Sequence, residues 1–368
     1  MKGAAILLGA ILMASSSQNG ARAGETLASL DAAQHTQSLV DRASQDWLSS
    51  EWRSYAARFV TPDGRVVDNA NGGISHSEGQ GYGMLLAVKA GDAASFETLW
   101  RWTARTLAVR KDHLLAWKWD PAVKAVTDTN NATDGDILVA WALAEAAKRF
   151  HRPDYREAAV VLARAVGSHA ILPTPLGPVL KPGLTGFGAS EQPDGPVVNL
   201  SYWVFPAFAS LAALAPEFDW AAVRHSGLAL IQASRFGTLG VPSEWEGLAS
   251  GAPRPAANFP AAFGYNAIRI PLYLAFDGGA DTRIALEPFA APWGQTASTT
   301  QLLQAHEVPV TVPLAQPGYD LVMATARCVS AGTAVPPEMI NARSDLYYPE
   351  TLRLLSVIAI QERVSACL

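Results

Sequence analysis

Cysteine is scarce: Cys328 and Cys367 are the only two in 368 residues. That count excludes a cysteine-built zinc module and a disulfide-dense small scaffold. A bond between them would close a loop of about 40 residues, worth about 4 kcal/mol on the chain-entropy model. Two buried free thiols are the alternative, and an oxidising compartment favours the bond. Long apolar runs are missing too. Beyond the first two dozen residues nothing approaches the ~20 apolar residues of a membrane-spanning helix. The start reads as a secretory leader over 1–23: Lys2, the stretch AAILLGAILMA, then an Ala21-Arg22-Ala23 cleavage site. The expectation is an exported chain, periplasmic or secreted, with no membrane span. No cysteine stands directly after the apolar stretch, which argues against a lipid anchor there.

Positive charge is also in short supply. Lys and Arg total 28 against 33 Asp and Glu, and losing Lys2 and Arg22 with the leader brings the net charge to about −7. Nucleic-acid binders carry a basic patch or stripe, so a polyanionic partner is not expected. The seven histidines are scattered, with no two at the helical spacing of a metal site. His76, close to Glu78, reads as a lone surface histidine. Phosphate loops, H-E-x-x-H and G-x-S-x-G elbows are absent, so neither metal nor cofactor is expected.

Strand signals are sparse, GRVVD and VPVTVP being the best, whereas helical periodicity is everywhere. In DAASFETLWRWTARTLA one face carries Phe96, Leu99, Trp100, Thr103 and Leu107, with Asp92 as N-cap. TDGDILVAWALAEAAKRF, NLSYWVFPAFASLAALA, AAFGYNAIRIPLYLAF and YYPETLRLLSVIAIQERV read as further helices, Pro349 fitting the first turn of the last. ILPTPLGPVLKPGLTGFG and ASGAPRPAANFP look like surface loops. The mature chain exceeds the ~250–300 residues of a single core. It carries no linker, so helices paired through loops suggest a closed ring or a superhelical stack.

The residues left to carry chemistry are acids among aromatics. Glu78 lies in ISHSEGQGYGMLLA, beside Tyr82; WKWDPAVKAVTDTNNATDGD supplies Trp117, Trp119, Asp128, Asp134 and Asp136. Aromatic faces pack on pyranose C–H faces while carboxylates bind hydroxyls, which suits a sugar chain. Each also has a structural alternative. Glu78 and Asp134 could be first-turn carboxylates favoured by the helix dipole. Asp136 could close a capping box on Thr133, and Asp128 could hold a turn. Any one tryptophan is more often core.

SEGQGYGM and ATDGDILVAWALAEAAKRF resemble the two signatures of glycoside hydrolase family 8, and FGYNAIRIPLYLA resembles a third block. With NLSYWVFPAF and VPSEWEG, the likeness runs from about Trp52 to Leu355 and is nearest to small exported bacterial cellulases. The second signature departs at Val139, where the family favours Ile or Met. The resemblance implies an all-α fold, an (α/α)6 barrel with a few short strands in loops, filling 24–368 as one domain. It implies Glu78 as proton donor and Asp134 as the aspartate engaging the distorted sugar at the cleavage point. A general acid must hold its proton at working pH, which burial or a neighbouring negative charge favours. The glycines around Glu78 would let backbone approach the polymer.

Asn266 stands where many members carry the aspartate that activates water. Asp134, Asp194, Glu244 and Glu246 are the substitutes the sequence offers, with Asn266 left to orient the water. Arg269, one turn along, could face the same cleft or serve a structural ion pair. Tyr202 and Tyr265 are sugar contacts or core. The implied activity is an inverting endo-β-1,4-glucanase acting on cellulose-like chains, a monomer associated with the cellulose-synthesis machinery. Chitosan, mixed-linkage glucan and xylan are rival substrates, and a weakened glucan-binding barrel is the non-enzymatic alternative.

Overall fold

Helix outweighs strand, 54% to 10%, in the computed structural model, and no sheet closes on itself among the described residues. Those residues are 42, 44–290, 298–301 and 311–367. The expected leader, 1–23, lies outside them, as do residues 308–310 of the expected VPVTVP strand. The chain separates into Met1–Ser50, of which residues 42 and 44–50 are described and helical, and Glu51–Leu368.

Within Glu51–Leu368 the first helix, α1, covers residues 51–59. Then come α2 (Ser77–Ala90), α3 (Ala93–Thr106), α4 (Thr133–Arg149), α5 (Pro153–His169), α6 (Phe208–Leu214), α7 (Trp220–Ala233) and α8 (Arg269–Asp277). The short α9 (Ala280–Ala285) and α10 (Glu287–Ala290) lead to α11 (Pro317–Ala331), α12 (Pro337–Asn341) and α13 (Tyr347–Arg363). Helix α2 packs on α3 and α4, α4 on α5, α8 on α11 and α13, and α11 on α13. Helix α4 is buried almost all round, as a helix apolar on every face must be. Each Leu or Ile it buries, Ile137, Leu138 and Leu143 among them, contributes about 1.5–3 kcal/mol.

Local signals account for several boundaries. Asp92 caps α3 by accepting from Ser95 N, as expected. Helix α2 stops at Gly91, whose φ of 79° suits a residue without a Cβ. Other boundaries move. NLSYWVFPAFASLAALA is not one helix: two 3-10 turns, Leu200–Tyr202 and Phe205–Ala207, precede the short α6. Pro206 lacks an N–H and pushes its predecessor out of the α region, so the helix cannot run through. AAFGYNAIRIPLYLAF likewise begins as strand at Ala262–Phe263, and α8 starts only at Arg269, with Pro271 in its first turn. On α3 the fully buried tryptophan is Trp102, not Trp100.

Among the described residues the strands form four small antiparallel sheets. β1 (Ser75–His76), β2 (Lys118–Asp120) and β3 (Ala125–Asp128) make the first, Ser75 opposite Trp119. β4 (Ile171–Thr174) and β5 (Gly177–Leu180) form a hairpin inside the segment expected to be pure loop. β6 (Val197–Val198), β7 (Glu246–Gly247) and β8 (Arg254–Pro255) make the third, β9 (Ala262–Phe263), β10 (Ser298–Gln301) and β11 (Thr311–Pro313) the fourth. The GRVVD segment makes only single bridges, Val60 to Val66 and Asp68 to Ile74. Cys328 and Cys367 are joined in a disulfide, 39 residues apart.

The glycines of SEGQGYGM serve helix packing. A Cβ on Gly81 would meet Leu138 Cβ at 2.5 Å, and one on Gly83 would meet Val66 Cγ2 at 2.7 Å. From the α4 side, a Cβ on Gly135 would meet Ser77 Oγ at 2.1 Å and Glu78 N at 2.7 Å. These close approaches bring the first turns of α2 and α4 together, which corrects the expectation that the α2 glycines admit substrate.

Candidate active site

Three helix starts converge on one arginine. Glu78 is in the first turn of α2, Asp134 in the first turn of α4, and Arg269 opens α8. Arg269 Nη1 donates to Glu78 Oε2 and, at 2.7 Å, to Asp134 Oδ2. Its Nη2 donates to Ser201 Oγ at 2.9 Å and to Asn266 Oδ1 at 3.0 Å. Arg269 is 1% exposed and Asp134 fully buried, while Glu78 keeps 17% of its side chain open. The guanidinium lies 5.5 Å from the Tyr202 ring centroid.

Burial pushes the Asp134 carboxyl up to about 7; Arg269 pulls against this and the Glu78 charge adds to it. Burial alone would lower Arg269, but Glu78, Tyr348, Tyr82 and Asp134 hold it above its ordinary value. His76 is no lone surface histidine. It is the N-cap of α2, its Nδ1 accepting from Gly79 N at 3.0 Å while Nε2 lies 3.5 Å from Asp68 Oδ2. Burial opposes its protonation, yet the Asp68 hydrogen bond and the Glu78, Asp68 and Asp134 charges raise it. The cap fixes the turn that aims Glu78.

Two aromatic groups flank the charged cluster. Tyr202 tilts against Trp245 at 6.3 Å, and Trp245 stacks with Phe187 at 5.5 Å and Phe259 at 4.8 Å. Next to Asn266, Tyr265 is 58% exposed and its carbonyl accepts from the Tyr348 hydroxyl at 2.6 Å, with Tyr319 against both rings. Trp117 is half-buried, its carbonyl accepting from Ser77 N at 3.0 Å, directly before Glu78.

Several expected site residues are placed otherwise. Tyr82 is fully buried, its hydroxyl bonded to that of Tyr273, so it is core beneath the site and not a sugar contact. Asp136 accepts from Leu115 N at 2.8 Å and Asn131 Nδ2 at 2.9 Å, and burial pushes it up to about 8. It anchors the segment before α4 and neither contacts substrate nor closes a capping box, since Ala132 is the N-cap. Asp128 is exposed and holds its turn by accepting from Asn130 N at 2.9 Å. Trp119, half-buried like Trp117, packs edge-on to Trp102 at 5.9 Å beneath the Arg65 guanidinium.

Of the candidate bases, Glu246 is sealed, bonded to Ser234 Oγ at 2.6 Å and Ser243 N at 3.1 Å. Asp194 accepts from Ala257 N at 2.8 Å and abuts Gly247, tying two loop segments together. Glu244 is half-buried and accepts from Asn266 N at 2.7 Å.

The model of the "Glycosyl hydrolases family 8" matches residues 30–362. The chain belongs to glycoside hydrolase family 8. Among relatives of this family 8 hydrolase, a probable endoglucanase of Novacetimonas hansenii is 37% identical over 327 residues, covering 86% of this chain and 92% of that protein. An endoglucanase of Cellulomonas uda is 37% identical over 69% of this chain and 68% of its own. Among solved structures, an endo-beta-1,4-glucanase from Acetobacter xylinum superposes with a TM-score of 0.76 at 36% identity, covering 86% of this chain and 99% of that one.

Sequence reasoning missed Ser201, the His76–Asp68 pair, Tyr348 and the Phe187–Trp245–Phe259 stack of the hydrolase. Ser201 and Tyr348 carry no local signal, because their partners are remote in the chain. The Phe187–Trp245–Phe259 stack joins three separate loops. His76, two residues before Glu78 at a helix start, was legible as a cap.

Proposed function

We propose that this family 8 hydrolase is an endo-β-1,4-glucanase that cleaves cellulose-like chains with inversion, exported behind a leader over 1–23. Residues 24–368 form one (α/α)6 barrel in this reading, and the protein acts as a monomer alongside cellulose synthesis. The observation that carries it is the Glu78–Arg269–Asp134 cluster, with Glu78 the one acid of the pair open to solvent.

Glu78 gives its proton to the glycosidic oxygen as the C1–O bond breaks. Asp134, its carboxyl pushed up to about 7 by burial, lies on the same arginine nitrogen. Arg269 holds both acids and Tyr202 in register, so the cleaved bond meets a fixed donor. The half-buried Tyr202, Trp245 and Trp117 and the exposed Tyr265 offer ring faces to sugar units on either side of that bond. The names of the relatives favour β-1,4-glucan over chitosan, mixed-linkage glucan or xylan.

The alternative, a barrel that binds glucan without cutting it, rests on Asn266, whose amide takes no proton at neutral pH. Carboxymethyl cellulose separates the two. Wild type is expected to release reducing ends with a rapid fall in viscosity, and Glu78→Gln to lose about 10²–10⁴-fold in rate. Equal, negligible release from both would leave only the binder.

A further inference from the structure

We propose that Glu244 takes the proton from the attacking water, with Asn266 aiming that water. The inference rests on the hydrolase reading above and names its missing partner. Inverting hydrolysis places water between two carboxyls ~6.5–9.5 Å apart. Asp134 fails as the second of these. Its Oδ2 and Glu78 Oε2 accept from one nitrogen of Arg269, and two bonds of at most about 3 Å hold these oxygens within about 6 Å. Asp134 is also sealed from solvent, out of reach of a sugar carbon.

Glu246 fails for a different reason. Both its oxygens are engaged, and a carboxyl that burial keeps protonated up to about 8 is poor at taking a proton. Asp194 spends Oδ2 on Ala257 N, and its Oδ1 is buried without a partner, facing protein. Glu244 has neither defect. It is half-buried, and no arginine or lysine pairs with it among the described residues.

Its placement follows from two bonds. Glu244 N donates to Ala262 O at 2.8 Å, pinning its strand-end loop beside β9. Glu244 Oε1 then accepts from Asn266 N at 2.7 Å, which leaves Oε2 without a hydrogen bond among the described residues. Asn266 Oδ1 in turn accepts from Arg269 Nη2, so the amide nitrogen of the side chain has only N–H bonds to offer. Those N–H bonds present to a water oxygen, and the carboxylate beside them accepts the water's proton. A chain of contacts, Glu78 to Arg269 to Asn266 to Glu244, thus spans from proton donor to proton acceptor.

The step balances without a co-reactant. The water oxygen bonds to C1, its proton passes to Glu244, the C1–O bond to the leaving sugar breaks, and that oxygen takes the Glu78 proton. Solvent then restores both carboxyls.

Glu244→Gln is the discriminating variant, because a Gln oxygen still accepts from Asn266 N. We expect the midpoint of thermal unfolding and KM to stay near wild type, kcat to fall about 10²–10⁴-fold, and the acidic limb of the pH profile to disappear. Glu244→Ala with added azide should yield the α-glycosyl azide, detected by NMR. The double variant E244Q/N266D should recover rate over E244Q by placing a carboxylate at the water. Wild-type rate in E244Q overturns the proposal; so does a slow E244Q that keeps its acidic limb while E244A forms no azide product. If wild type itself does not cut carboxymethyl cellulose, the hydrolase reading fails first. If wild type cuts, E78Q does not, and E244Q matches wild type, only the role of Glu244 falls.

Discussion

Arg269 Nη1 donates a 2.7 Å hydrogen bond to Asp134 Oδ2, and both side chains are closed to water. A buried ion pair adds little net stability, but stripping one partner leaves an uncompensated charge. Arg269→Met should therefore destabilise by about 3–5 kcal/mol at pH 8 in urea unfolding. The loss should shrink at pH 5, where Asp134 is protonated. Arg269→Lys keeps the charge but cannot reach Glu78, Asp134, Ser201 and Asn266 together, so its rate should drop about 10²-fold or more. An Arg269→Met protein as stable as wild type at both pH values would mean that the cluster carries no electrostatic burden.

Glu246 predicts a pH dependence away from the chemistry. Its carboxyl is raised from 4.5 to about 8 by burial, with the Ser234 and Ser243 bonds acting the other way. Between those values the folded chain holds a proton that the unfolded chain has released, so this group's contribution to stability declines as pH rises through the window. Glu246→Gln fits the same bonds without ionising. We expect its stability curve to be flatter from pH 4.5 to 8, its unfolding midpoint above wild type at pH 8–9, and its hydrolysis intact. Asp134 and Asp136 are shifted the same way, so a residual slope remains.

The Cys328–Cys367 bond ties the end of α11 to the residues after α13. Closing a loop of this size is worth about 4 kcal/mol on the chain-entropy model. A double Cys→Ser variant, or reduction, should lower stability to denaturant by a few kcal/mol on that model while the folded protein still hydrolyses glucan. Loss of rate without loss of stability would contradict this.

The sequence made the main actors legible because their signals are local. Glu78 and Asp134 each sit at the start of a strongly apolar helical run, and Arg269 follows Asn266 by one turn. What it did not reveal were relationships across the chain. Whether Asp136 faces sugar or protein depends on Leu115 N, 21 positions away, and the choice of Glu244 rests on a bond to Asn266, 22 away. Helix starts failed at Pro206 and Pro271, which fit a first turn but not the interior of the longer runs that apolar periodicity suggests. The short sheets escaped because pairs of two to four residues leave no alternation to read.

Gly135 sets a further asymmetry. Because any side chain there would strike Ser77 and the Glu78 backbone, the two acids are spaced by bare main chain, as though by a welded joint. Glu244 and Asn266, by contrast, meet through a side-chain hydrogen bond, with Glu244 N also held on Ala262 O. Reshaping this enzyme for another linkage or another nucleophile should therefore leave the Glu78 side alone and work where hydrogen bonds, not a steric stop, set the spacing.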